Sequence, residues 1–269
     1  MNQDITQKNY RKLVLRVSPG GFSHCILDTA SGQVLSIAET PFESGRQSRP
    51  EDRYAEAFAA SPELTNAFDD VQVLHESNLN TFVPSPLFDP DYMGSYLQYN
   101  TKVFETDFFE SDELSNYGMH IVYIPWANLN NFLIDQYGSF TYRNANTVLI
   151  EKLMDASRNA DGRRMYAHFS AERFEIAVIE NQKLLLFNSF EHRAKEDFIY
   201  YVLFTAEQLN LNPEQFPLRL LGDIDQDGDY FQTAYKYVRD VELADVSHLS
   251  QRNGLSHEIN RKHFILVQG

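Results

Sequence analysis

Apolar residues along this chain come in short runs bounded by turn residues, and one such arrangement occurs twice. Leu15-Arg16-Val17-Ser18-Pro19-Gly20-Gly21-Phe22 aligns with Ala167-His168-Phe169-Ser170-Ala171-Glu172-Arg173-Phe174, serine on serine and phenylalanine on phenylalanine. Each block continues into an apolar run, Cys25-Ile26-Leu27 and Ala177-Val178-Ile179, then a polar turn, then a third run, Val34-Leu35-Ser36-Ile37 and Leu184-Leu185-Leu186-Phe187. Short apolar runs closed by Gly, Pro, Asn and Ser read as strands joined by hairpins. Both stretches, Lys12–Thr40 and the one opening at Arg163, are therefore predicted to be three-stranded antiparallel meanders. Their likeness implies a duplicated unit.

Elsewhere the period changes. Glu51–Phe68 places Tyr54, Ala57, Phe58, Leu64 and Phe68 roughly on one helical face, with Pro62 kinking or splitting it. Val71–Leu74 and Asn80–Pro84 read as extended, Asp91–Tyr99 as a short helix, Met119–Ile124 as a buried strand, and Ala127–Tyr137 as a helix. A short strand at Phe140–Tyr142 and a helix over Ala145–Ser157 follow. Arg158–Gly162 is polar and marks the expected boundary between halves 1–160 and 161–269. After the second meander, Phe198, Val202, Leu203, Ala206 and Leu209 form a stripe on a helix over Ala194–Leu209. Leu218–Leu221 is then a strand closed by Gly222, Tyr230–Val238 a helix and Phe264–Val267 a late strand. Meanders followed by alternating helices and strands make the fold α/β, with a mixed sheet in each half.

Composition narrows the function. The 269 residues carry a formal net charge of -15. Phosphate backbones and anionic lipid surfaces need clustered Lys and Arg, so nucleic acid and membranes are not expected partners. No stretch has the apolar length of a membrane span, and Met1-Asn2-Gln3-Asp4 lacks the basic and apolar regions of a signal peptide. With the lone Cys25 these features point to the cytoplasm. Glu105–Glu113 and its neighbour Phe104 are acidic and aromatic together. That stretch reads first as an edge strand with a solvated loop, and second as a segment that docks another protein.

Two strings, Thr81-Phe82-Val83-Pro84-Ser85-Pro86-Leu87-Phe88 and Leu186-Phe187-Asn188-Ser189-Phe190 leading to Glu196–Phe204, resemble a bacterial family of unknown function assigned to the actin-like ATPase fold. The resemblance implies a duplicated, two-lobed actin-like (ribonuclease H-like) fold. It also implies a nucleotide site, with Asp-x-Gly-x-Gly in the first hairpin of each half to hold a magnesium shell and admit phosphate. At those positions this chain has Arg16, Ser18 and Gly20, then Gly21, in the first half, and His168, Ser170 and Glu172, then Arg173, in the second. The adenosine loop keeps one glycine, in Leu221-Gly222-Asp223. Arg16, Ser18, Gly20, Gly21, His168, Ser170, Arg173, Gly222 and Asp223 are thus the candidate nucleotide- or anion-binding set. Two acids have become bases and a carboxylate stands where phosphate would lie, so ATP and magnesium are disfavoured as cofactors.

Other motifs are weaker. Asp223-x-Asp225-x-Asp227-Gly228 matches the first half of a calcium loop, but the twelfth position is Ala234 and a strand precedes it. His257 and His263 lie six apart, which does not keep two ligands on one helical face. Cys25 reads as a small core residue. There is neither a Walker loop nor Gly-x-Ser-x-Gly. The chain thus reads as a non-enzymatic binding or scaffold protein, its partner another protein, on a fold with a degenerate nucleotide site. An ATPase or kinase with unusual phosphate-loop residues is the alternative.

Overall fold

The computed structural model describes residues 8–43, 48–158, 160–171, 173–191 and 193–269. They form two compact units. The first comprises Met1–Val148, Arg252–Gly254 and Ile265–Gly269; the second comprises Leu149–Gln251 and Leu255–Phe264.

In the first unit the meander is β1 (Arg11–Ser18), β2 (Gly21–Asp28) and β3 (Val34–Pro41). Helix α1 (Pro50–Ala59) follows, and a 3-10 turn at Pro62–Thr65 stands where the proline splits the stripe. The sheet continues with β4 (Asp70–His75) and, later, β8 (Thr141–Asn144), in the order β3-β2-β1-β4-β8. β4 runs parallel to β1 and β8 parallel to β4. Leu13, Leu15, Val17, Phe22 and Ile26 pack on one face with Tyr54 and Phe58 of α1 and with Leu129 and Leu133 of α3 (Ala127–Tyr137). Burying side chains of this size contributes about 1.5–3 kcal/mol each, which is what holds both helices to the sheet. Cys25, in mid-strand, is buried.

Between β4 and α3 lies a small module. β5 (Asn80–Pro84), β7 (Met119–Tyr123) and β6 (Glu110–Leu114) form an antiparallel sheet with β7 in the centre. Helix α2 (Met93–Leu97) packs on it, and Leu97 joins Val83 and Val122 of the sheet in one buried apolar cluster. Glu110–Leu114 is thus the expected edge strand, preceded by a loop.

Helix α4 (Ala145–Ala156) leads into the second unit. There the sheet is β9 (Arg163–Phe169), β10 (Arg173–Glu180), β11 (Lys183–Glu191), β12 (Pro217–Gly222) and β13 (Asp240–Leu243), in the order β11-β10-β9-β12-β13. α5 (Lys195–Gln208) and α6 (Asp229–Tyr237) cover one face. α7 (Ser247–Asn253), whose last two residues belong to the first unit, and α8 (His257–Lys262), which contacts β12, follow. The division between units falls inside α4, whereas the expected halves met at 160/161.

The two meanders correspond residue for residue. Val17 pairs with Phe22 and His75; Phe169, on the aligned position, pairs with Phe174 and Gly222. A β-bulge falls at the same place in both, between Ile26/Leu27 and between Val178/Ile179, so that Leu35 and Leu185 are passed over. The late strand expected at Phe264–Val267 does not form. These residues are buried and end in a 3-10 turn, Leu266–Gln268, against β1 and β2. A four-residue apolar run is compatible with either conformation, and only its neighbours decide.

Candidate functional site

The first hairpin closes tightly. Ser18 pairs with Gly21, leaving Pro19 and Gly20 at the bend. Gly21 has φ 146°, and a Cβ there would collide with Thr40 and Pro41 of β3. Pro19 has no amide proton, and the neighbouring amides are already used. Ser18 N donates to the Tyr54 hydroxyl at 3.1 Å, and Gly20 N donates to Ser18 Oγ at 3.2 Å. The same hydroxyl lies 2.8 Å from Ser18 O and 2.9 Å from Gly21 O, both of which accept. Tyr54 is fully buried, and burial pushes its pKa well up, so it remains a donor at any physiological pH. Arg16, one pleat before the turn, is held by two carboxylates: Nε lies 3.3 Å from Glu76 and Nη2 3.9 Å from Glu39.

The second hairpin is closed by its own serine. Ser170 N and Ser170 Oγ both donate to Arg173 O, at 2.8 Å and 3.2 Å. Glu172 lies outside the described residues. His168 Nδ1 lies 3.0 Å from Glu175 Oε2, and both side chains are buried. His168 Nε2 has no hydrogen-bond partner among the described residues. Beside them β12 ends on Gly222, whose φ of 89° and contact with the Phe169 backbone leave no room for a side chain. Asp223 N donates to Phe169 O at 3.0 Å, and its carboxylate lies 3.6 Å from Lys262 Nζ. His168, Ser170, Arg173, Gly222 and Asp223 are therefore neighbours at one end of the second sheet. Arg16, Ser18, Gly20 and Gly21 gather at the same end of the first.

Asp223, Asp225 and Asp227 are exposed, in a turn where Gly228 N donates to Asp225 O at 3.1 Å. Among the described residues no group of three or more His, Cys, Asp or Glu gathers as around a metal.

Two buried polar centres escaped the sequence reading. At the end of β4, His75 Nδ1 accepts Trp126 N–H at 3.2 Å and Nε2 faces Asn130 Oδ1 at 2.9 Å, which places the proton on Nε2. Burial drives this imidazole down to about 4. In the module, Asp112 accepts from Tyr123 Oη at 3.2 Å, from Asn144 N at 2.8 Å and from the Thr147 hydroxyl. Burial pushes its carboxyl up. The Asp112 bonds tie β6 to the start of α4, which Asn144 caps through Asn146 N. The one sequence signal was an acid at an inward position of an alternating strand.

A family model described as "Protein of unknown function (DUF3822)" matches residues 1–241. The chain belongs to the DUF3822 family. Among solved structures, a Bacteroides thetaiotaomicron protein described as having an actin-like ATPase fold and unknown function is 24% identical, with a TM-score of 0.82 and 100% of both chains covered. The PilM–PilN type IV pilus biogenesis complex matches at 13% identity and TM-score 0.56, over 95% of this chain and 96% of that one. Ethanolamine utilization protein EutJ from Carboxydothermus hydrogenoformans matches at 9% identity and TM-score 0.51, over 96% and 90%. Among curated proteins none matches. This DUF3822 chain has the actin-like ATPase fold, in two units of like topology. No helix among the described residues is long and apolar enough to cross a membrane.

Chemically, each hairpin presents a basic side chain paired with an acid where the resemblance requires a free acid. Tyr54, Glu39, Glu76 and Glu175, which do the pairing and closing, were not distinguishable in sequence. Tyr54 reads there as one more apolar position of an amphipathic stripe.

Proposed function

We propose that this protein is a non-enzymatic binding scaffold built on the actin-like ATPase fold, with a nucleotide site that no longer supports hydrolysis. The observation that carries the reading is the closed first hairpin. A phosphate loop works by aiming free backbone amides at the anion. Here the Ser18 amide is bonded to Tyr54 and the Gly20 amide to Ser18 Oγ. Phosphoryl transfer also needs a positioned metal and an oriented water. Arg16 with Glu39 and Glu76, and His168 with Glu175, offer no free carboxylate for a magnesium shell. The PilM–PilN complex supports the choice of partner class, since there a chain of this fold is assembled with another protein.

The test is phosphate release from ATP with magnesium, together with thermal midpoints in ATP and ADP. A ligand at a hundred times its Kd adds about 2.7 kcal/mol, which for a chain of this length lifts the midpoint by roughly 5 °C. We expect release at background and no midpoint change. Steady turnover by the unmodified protein overturns the reading.

A further inference from the structure

We propose that the small module, residues 80–124, docks a basic amphipathic segment of a partner protein. The proposal takes from the scaffold reading only the expectation that the partner is a protein.

Large rings stand out of this module. Tyr92, Tyr99, Phe104 and Phe108 are 53–85% exposed, and Leu87 is 69% exposed. They fall between residues 87 and 108, all on this one small module. So many exposed apolar side chains on one small element exceed the scattered single exposure that a folded surface ordinarily shows. The local fold keeps them outward. Tyr96 Oη, donating to Leu87 O at 2.7 Å and accepting Asp89 N at 2.9 Å, fixes the turn that carries Leu87 and leads to Tyr92. Asp107 accepts Phe104 N at 2.8 Å and fixes the turn carrying Phe104 and Phe108. Phe109, the next residue, lies against Gly94 and joins that turn to the start of α2.

Charge selects the occupant. Asp89, Asp91, Glu105 and Glu113 are exposed on the same module, and Lys102 is its only Lys or Arg. That one cation already lies over the Phe104 ring, 4.9 Å from its centroid. A ring face that holds a lysine within the chain is chemically suited to hold one from outside. Acids around aromatics therefore fit a segment with an apolar stripe flanked by Lys or Arg. An exposed pair elsewhere, Tyr200 stacked on Phe204 at 5.9 Å on α5, has no such contact with a cation among the described residues and serves as a control surface.

The test is a fluorescence-anisotropy titration of the full chain with a labelled lysine–leucine amphipathic peptide, and with a lysine–serine peptide of equal charge. We expect the first to bind at least tenfold more tightly than the second. Replacing Phe104→Ser with Phe108→Ser should weaken it at least tenfold. Asp91→Lys with Glu105→Lys should do the same, while Tyr200→Ser with Phe204→Ser should stay within twofold. The paired aromatic and charge variants guard against a folding defect in either one. Equal binding of the two peptides, undiminished binding by the module variants, or no binding overturns the proposal. So does a dimer by sedimentation that Phe104→Ser with Phe108→Ser dissolves, because the surface then belongs to a second copy. None of these outcomes bears on phosphate release, so the two proposals fail separately.

Discussion

The two five-stranded sheets have the same strand order, the same register and the same bulge, and they keep a serine at the first hairpin, yet the polar groups around that serine differ. Arg16 stands where the other unit has His168, Ser23 where it has Glu175, and His75 where it has Gly222. Tyr54 and Phe198 both pack on the first ring of the second strand, at 5.4 Å from Phe22 and 5.3 Å from Phe174, but only Tyr54 carries a hydroxyl into the hairpin. The interior positions are constrained by pairing on two sides and by the core beneath. The strand ends answer only to local hydrogen bonding, so two copies can keep one architecture and solve each end differently. A base with an acid partner is the solution both adopt, with the acid drawn from β3 and from beyond β4 in one case and from β10 in the other.

The comparison is most easily broken at the ends of β4 and β12. Gly222→Ala puts a methyl group onto the Phe169 carbonyl at a positive φ, and should cost about 4 kcal/mol in urea unfolding. A loss under about 1 kcal/mol would mean that β12 moves away freely and that the two ends are not equivalent constraints.

Acid acts on the other end. His75 has its pKa lowered from 6.5 to about 4, so below pH 6.5 the unfolded chain takes up a proton that the folded chain refuses. Stability contributed by neutral His75 is full above pH 6.5 and is lost as pH falls toward 4, by about 3 kcal/mol in all. His24, also lowered by burial, acts in the same direction, and Asp112, raised, in the opposite one. Urea midpoints at pH 7 and pH 4.5 should differ accordingly, and His75→Gln should flatten the slope. An unchanged slope in that variant assigns the acid sensitivity elsewhere.

The smallest effect sharpens the comparison. Tyr54→Phe gives the first unit the side chain of the second and leaves Ser18 N without its acceptor, at a cost of about 1–2 kcal/mol. Calorimetry of that variant with ATP then separates two kinds of closure. Continued silence means that Arg16 and its acids suffice to exclude phosphate, and a new affinity means that the hydroxyl alone kept the loop shut.

The meanders were legible because hairpin chemistry and alternation are local. The alignment of Phe22 on Phe174 holds in the strand pairing, and Pro62 splits the helix as expected. β13 was not legible: Asp240–Leu243 is four residues long and buries only Val241 fully. The module's three strands were each visible, but nothing local states that β7 pairs with β5 and β6 rather than with the main sheet. The hairpin closures depend on contacts far apart in sequence, such as Tyr54 with Ser18, and an ion pair between Arg16 and Glu76 has no sequence period. Candidate positions could therefore be located by alignment, while what occupies their hydrogen bonds could not.

Cys25 lends this asymmetry a practical side. The thiol is buried in β2, and burial raises its pKa to about 12, so a thiol reagent meets neither an accessible sulfur nor a thiolate while the sheet is intact. Its labelling rate is consequently a clock for openings of β2. The molecule has one cysteine, so it carries a timer in its first unit and none in its second.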